Sequence, residues 1–452
     1  MQTVRHFFPN FNDWLQALPD SRIQPLCVYP TRFLAWWGLL LYVLQLGSRR
    51  QLNFKLGAHG TQVLNNINRL AGTELPTRPV HGTLDHYVGH VGPTGFAQLR
   101  TRLVRHLIRN KVLEAARLLS YLVVVLDATG MYYFRQRHCD QCLSQRHGDT
   151  TIYLHHVLEA KLLGPSELLF SIGSEFICNA DAGSAGSAEA MKQDCERNAF
   201  KRLAPRLHQE HPQLRLCLSG DGLYACGPFF QECADHGWVF VVVFKPTVLP
   251  TVWADFASLL PLVPGQRLER ILPHGTRQIY RWVNDLSYVD SEKRSFTLNA
   301  LQCEETVPHQ DGTQTTTTFA WLTNLQVNAD NVEVIANQGG RARWKIENQG
   351  FNRQKNSDLN LQHLYSTDPD KLQAYYYLMQ IACILLCLME QGSLLRRLAA
   401  EYGRTPWQLF GSLKNLAWLL LEGLRCFAWP AACFDADAAS RLRISFASFD
   451  TS

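Results

Sequence analysis

The spacing of apolar residues changes twice along the chain, and each change marks a boundary. Up to about residue 117 the pattern is helical. TRFLAWWGLLLYVLQLG is followed by a basic patch, SRRQLNFK, and then by a polar, glycine-containing segment. From Phe96 to Arg117, Leu99, Leu103 and Leu107 recur at helical spacing with Val104 and Ile108 beside them. The other face carries Arg102, Arg105, Arg109 and Lys111. That face reads either as a solvated surface or as one that contacts phosphates.

From Tyr121 the runs shorten and read as strands. LVVVLDATG, TIYLHHVLEAKLL and ELLFSIGSEFICN predict three, followed by a helix over roughly Ala188 to His208. Strand LRLCLSGD, a short helix near Phe229 to Asp235, and strand GWVFVVVFKP come next. The stretch from about Thr247 to Asp330 is rich in threonine and aromatics, with a turn at Asp311-Gly312, and predicts a β-rich insertion. GGRARWKIENQGFNRQKN reads as the start of a helix, and an apolar helix follows from about Asp370 to Leu398. The expected division is a helical region over 1–117, a first core segment over 118–246 and the insertion over 247–330. The last core segment spans 331–400, and a C-terminal helix and tail span 401–452. The fold class is α/β, a mixed sheet with helical cover.

Composition adds little direction. The 452 residues are 46% hydrophobic, enough for a sizeable core, and a net charge of +5 permits nucleic-acid binding without requiring it. Met1 to Asp13 shows no signal-peptide pattern. Phe33 to Leu44 and Ala374 to Met389 are both shorter than the roughly 20 residues a bilayer needs, so buried helices in a soluble protein are expected. Most of the 13 cysteines, such as Cys178, Cys217, Cys383 and Cys387, sit singly in apolar contexts, as reduced core thiols do.

Chemistry concentrates at three acids. Asp127 and Asp221 each close an apolar run and are followed by small residues, Ala128-Thr129-Gly130 and Gly222. If their strands are neighbours, the two carboxylates meet at one sheet edge and Glu347 approaches from a helix. Carboxylates so arranged suit Mg²⁺, which prefers oxygen ligands. Two ions about 4 Å apart can serve both the attacking and the leaving oxygen of a phosphodiester. Each acid alone has a plainer role: a strand-ending aspartate caps the next turn, and Glu347 pairs with Arg343 one helical turn earlier.

A second constellation is His138-Cys139-Asp140-Gln141-Cys142 with His147, His155 and His156 downstream. Cys139, Cys142, His147 and His155 are expected as zinc ligands, against unligated thiols or a redox pair. His155 and His156 point to opposite faces of a strand, so at most one ligates. Asp194 and Glu196, in KQDCE, read as a solvated helix face ahead of additional metal or DNA contacts, and Glu175 as a residue near the acidic edge.

The motifs VVVLDATG, HCDQCL, HHVLEAKLL, KQDCE, GDGLYACGPFF and RWKIENQGFNRQKN, over about residues 100 to 365, resemble the DDE transposases of bacterial insertion sequences. The resemblance implies a ribonuclease-H-like, retroviral-integrase-like core with a β-strand insertion before the glutamate. It implies that Asp127, Asp221 and Glu347 bind catalytic Mg²⁺, with Mn²⁺ as a substitute. It also implies hydrolysis at transposon ends, then attack of the freed 3′-hydroxyl on target DNA. Arg343, Asn348, Asn352 and Lys355 are then expected to position DNA. The implied partners are terminal inverted repeats, target DNA and a second copy of the chain, in the bacterial cytoplasm and at the nucleoid, with no membrane. Many relatives carry Tyr-x2-Arg-x3-Glu-x6-Lys around the glutamate. Here Arg343 and Glu347 keep that spacing, but Gly340 stands at the tyrosine position and Gln354 at the lysine position, with Lys355 next to it. The alternatives are a nuclease on the same core that cuts without joining, and a catalytically inactive DNA-binding relative.

Overall fold

A computed structural model describes residues 1–57, 60–179, 193–356, 359–435, 437, 439 and 441–446. It has a mixed α/β architecture, a helical N-terminal region against a multi-stranded sheet. The strands are β1 (Arg117–Leu118), β2 (Tyr121–Phe134), β3 (Leu143–His147), β4 (Thr150–Leu163), β5 (Leu169–Ile177) and β6 (Leu216–Gly220). They continue with β7 (Val239–Val243), β8 (Arg267–Ile271), β9 (Arg277–Val289), β10 (Ser295–Pro308) and β11 (Gln314–Thr323).

The run that begins at Tyr121 becomes the central strand β2. Leu122, Val124 and Leu126 join one buried cluster, while Val123 and Val125 join another on the opposite face. Cover on both faces explains why the run is continuously apolar rather than alternating. β2 pairs antiparallel with β4 and parallel with β6, and β6 pairs parallel with β7. The outer edge of β4 is shared, with β3 along its first half and β5 along its second.

The stretch Thr247–Asp330 begins with a helix, Pro250–Leu259, and then forms β8 to β11. These strands continue the central sheet instead of forming one of their own. β11 pairs antiparallel with β7 at Trp321↔Val243, Leu322↔Val242 and Thr323↔Val241, giving the order β3-β4-β2-β6-β7-β11-β10-β9-β8. Gly312 makes the β10–β11 turn with φ of 80°, and Asp311 Oδ1 accepts from the Thr313 amide at 3.0 Å.

The helix expected over Ala188 to His208 runs from Glu196 to Glu210; Ala188 to Lys192 lie outside the described residues. Helix Gly227–Asp235 follows β6, and both helices cover the same sheet face through Phe200, Leu203, Phe229 and Phe230. The opposite face is covered by a helical run from Val332 to Asn356.

Three long helices, Thr31–Val43, His81–Arg109 and Pro369–Gln391, pack together. Leu99, Leu103, Val104 and Leu107 are buried as their spacing predicts, and the helix bends at Gly92-Pro93, where Gly92 has φ of 68°. Pro369–Gln391 is longer than its apolar stretch and, by length and composition, long enough to cross a bilayer, yet 89% of its most apolar window is buried. It ends earlier than Leu398. Gly392 is extended, and a second helix, Ser393–Glu401, begins after it.

A buried polar network ties these helices to the sheet. Arg100 Nη1 donates to Ser174 Oγ at 2.9 Å, Ser174 donates to Glu159, and Tyr376 donates to the same Glu159 oxygen at 2.8 Å. Arg100 also lies 5.3 Å over the Tyr377 ring.

Candidate functional site

Strand register brings the two aspartates together. β2 and β6 are last paired at Val125↔Ser219, and two residues further along each chain stand Asp127 and Asp221. Side chains alternate along strands, so both acids project to the face shared by Val123, Val125 and Cys217. Ser219 marks that face, donating from Oγ to the Gly339 carbonyl at 2.8 Å. The helical run that covers it carries Glu347.

Within that run, the turns Ile335–Gly340 and Ile346–Phe351 are widened to the i→i+5 pattern. Such turns are uncommon and cluster at functional sites. Ile346 and Phe351 are buried while Glu347, Asn348 and Asn352 are exposed, so the second widened turn presents the glutamate outward. GGRARWKIENQ therefore lies inside a helical run that begins at Val332, not at a helix start.

The glycines at 339 and 340 permit this packing. A Cβ on Gly340 would lie 2.4 Å from the Trp321 indole, and one on Gly339 would lie 2.9 Å from Val241. No side chain fits at 340, because Trp321 of β11 already fills that space.

The electrostatics agree with this placement. Asp127 is pushed up to about 6, chiefly by burial; nearby Arg343 opposes the rise, and the charges of Asp221 and Glu347 add to it. One oxygen of Asp127 accepts from the Ala128 amide at 3.0 Å. Asp221 does cap a turn, accepting from the Leu223 amide at 2.8 Å, so the plainer role and the convergence coexist at this residue. A fourth carboxylate belongs to the group. Glu196, expected on a solvated face, is half-buried at the start of its helix and accepts from the Tyr224 hydroxyl at 2.6 Å. Burial and the charges of Asp127 and Asp221 push it up to about 7, against the Tyr224 hydrogen bond.

Two cations border the acids. Arg343 bears on Asp127, and Lys355 is drawn to both Asp127 and Glu347 while burial lowers its pKa. Gln354 faces elsewhere: it is buried and its amide donates to Gln380 at 3.0 Å. Asn352 accepts from Asn356 on the exposed surface. Glu175 is not at the acidic edge. It pairs with Arg202 at 2.6 Å and Arg206 at 3.0 Å, and Arg202 also holds Asp194 at 2.7 Å.

The His/Cys constellation also converges, with one exchange. His138, Cys139, Cys142 and His155 each offer a ligand atom within 4.8 Å of the others. His147 does not join them. It lies at the exposed end of β3, where it pairs with Thr150, so the tight turn at Cys139–Cys142 recruits the histidine just before it instead. His155 is buried, and burial lowers its pKa to about 4. His156 points to the other face, towards Lys355. The Cys139 thiol is pushed up to about 11 by burial and by Cys142.

No protein-family model and no curated protein matches the chain.

Proposed function

We propose that the chain is a DDE-type transposase, which cuts DNA at insertion-sequence ends and joins the freed 3′ end to target DNA. The observation that carries this reading is the level placement of Asp127 and Asp221 on adjacent parallel strands, on the face crossed by the Glu347 helix. The order β5-β4-β2-β6-β7 supports a ribonuclease-H-like core: an antiparallel sheet of three, then two parallel strands each reached through a helix. β8 to β11 fall between the second aspartate and the glutamate, where the resemblance expects an insertion.

The donor set suits a hard cation. Carboxylates from four elements gather at this edge, and burial together with their mutual repulsion raises Asp127 and Glu196, a cost that a bound Mg²⁺ or Mn²⁺ would relieve. Divalent ions held there would supply charge stabilisation to an attacked phosphodiester. Asp127, Asp221 and Glu347 would provide the ligand oxygens. Arg343 and Lys355 would bind phosphate oxygens and align the strand, and exposed Asn348 and Asn352 would extend that track. Glu196, near 7, would hold or release a proton beside the two aspartates.

The N-terminal helices would bind terminal repeats. Of their basic face, Arg102 lies 4.5 Å over Trp14 and Arg105 donates to the Glu210 carbonyl, which leaves Arg109 and Lys111 as the exposed phosphate contacts. Two copies would act together on the paired ends, in the bacterial cytoplasm.

The test is a strand-transfer assay with Mg²⁺, target plasmid and linear DNA carrying the sequences that flank this chain's own gene. Joined products that vanish in D127N, with DNA binding retained, are expected. Ends cut but never joined would make the chain a nuclease, and cutting unchanged in D127N would overturn the assignment.

A further inference from the structure

The cluster at His138, Cys139, Cys142 and His155 is close to the dimensions of a closed tetrahedral site. Sγ of Cys139 and Cys142 are 3.5 Å apart, His155 Nε2 is 3.3 and 3.5 Å from them, and His138 Nδ1 is 3.1 Å from Cys142. Zinc–sulfur bonds of about 2.3 Å and zinc–nitrogen bonds of about 2.0 Å in a tetrahedron place their ligands about 3.3–3.8 Å apart. The Cys142 amide closes the turn on the Cys139 carbonyl at 3.4 Å. Arg137 clamps the same loop by donating to the Cys139 and Asp140 carbonyls.

The loop is also a tether. Asn179 at the end of β5 donates its amide to the Gln141 carbonyl at 3.2 Å and its side chain to the Cys142 carbonyl at 3.0 Å. Its side-chain oxygen accepts from the Asp194 amide at 3.3 Å, and Gln193 bridges both backbone groups of Ser144. Asp194 stands two residues before Glu196. A chain of hydrogen bonds thus runs from the cysteine turn to the start of the helix that presents the fourth carboxylate.

We propose that His138, Cys139, Cys142 and His155 bind one Zn²⁺, and that this structural ion holds the start of the Glu196–Glu210 helix in place. Two thiolates balance the dication, so the buried site is neutral once filled; the two thiol protons leave to solvent on binding. All four positions are taken by protein, which makes the site structural and not catalytic. The ligand set stands whether or not the acids act on DNA.

Metal analysis of the purified full-length chain should give about one zinc per chain. Cobalt exchanged for it should show the visible bands of tetrahedral, thiolate-ligated Co²⁺. C139S and H138A should lose the metal, whereas H147A and D127N should keep it; the last control separates this site from the acidic one. Absence of both zinc and the cobalt–thiolate bands in the wild-type chain would overturn the site, and loss in H147A but not in H138A would overturn the ligand set. In the tether test, amide exchange at Ala199–Leu203 should speed up on zinc removal, and unchanged protection there would overturn the positioning role. The cobalt spectrum needs no variant, so a variant that fails to fold leaves the site testable.

Discussion

The two clusters of ionisable residues are built in opposite ways. The His/Cys cluster draws its members from eighteen consecutive positions, on one turn and on β4, the second strand after it, and gathers soft ligands around one centre. The acidic cluster draws Asp127 from the middle of β2, Asp221 from just past the end of β6, and Glu196 and Glu347 from two helices, and leaves Glu347 exposed. A local, closed set can be satisfied by one ion and then only has to persist. A set gathered from distant elements at an open edge keeps room for a substrate, and its crowded charge is tolerated because something else is meant to neutralise it. On the proposed reading, the contrast separates a part that stabilises from a part that acts.

The largest expected effect comes from crossing the two. D127N or D221N should lower DNA cleavage by roughly 10³-fold, since several kcal/mol of charge stabilisation is lost at about 1.4 kcal/mol per tenfold. Zinc content should stay unchanged in the same samples. If either variant cleaves like the wild type, the acidic cluster is not the acting part.

Stability should separate the clusters next. C142S should lower the unfolding midpoint in urea by several kcal/mol equivalent, roughly the cost of losing a structural metal from a large chain. Removing Mg²⁺ alone should leave it nearly unchanged near pH 5. Its effect grows with pH for a definite reason. Asp127 and Glu196 have folded values near 6 and 7, above their unfolded ones. Between about pH 4 and 7 the folded chain therefore holds more protons than the unfolded one, and metal-free stability falls as pH rises through that window. Mg²⁺ should restore it, so the thermal shift produced by Mg²⁺ should be larger at pH 8 than at pH 5. A shift independent of pH would contradict the crowding of these acids.

The packing behind Glu347 gives a third test. G340Y should cost about 1–3 kcal/mol or more by forcing a ring into Trp321. Combined with W321A, part of that loss should return, which a double-mutant cycle in urea would read. Additive losses would mean that Trp321 is not what excludes a side chain at 340.

The smallest effect concerns the cation beside the acids. K355Q should weaken DNA binding and reduce its salt slope by about one, as for a single phosphate contact. Q354A should leave the slope alone and lower stability, because its amide is buried against Gln380. The reverse outcome would return the phosphate contact to position 354.

Much of the sheet was legible because apolar residues report burial: β6 and β7 coincide with nearly continuous apolar runs, and β2, β4 and β5 overlap the segments that predicted strands. The pairing of Asp127 with Asp221 was legible as an expectation because each closes an apolar run, although β2 does not end at Asp127 as expected but continues to Phe134. Its register was not, since register depends on the pairing of β2 with β6 across a long intervening chain. Glu196 was placed on a solvated face, with metal or DNA contact second, for a similar reason. Nothing local distinguishes a helix-starting glutamate on a solvated face from one that reaches a sheet edge; only Tyr224, in GDGLYA, offered a partner. His147 was expected among the ligands and His138 was not, but a tight turn curls back on its own start. The continuation of the sheet through β11 was hidden because edge pairing leaves no mark in composition. Gly340 read as a departure from a familiar pattern, and the reason lay in Trp321, nineteen positions earlier on another element.

The most direct measurement is a Mn²⁺ titration followed by electron paramagnetic resonance on the zinc-loaded chain, its D127N/D221N variant and its C139S/C142S variant. The wild type and the cysteine variant should bind Mn²⁺ with the affinity rising from pH 5 to pH 8, and the aspartate variant should not bind. Equal Mn²⁺ binding by the aspartate variant and the wild type would contradict a cation site at these carboxylates.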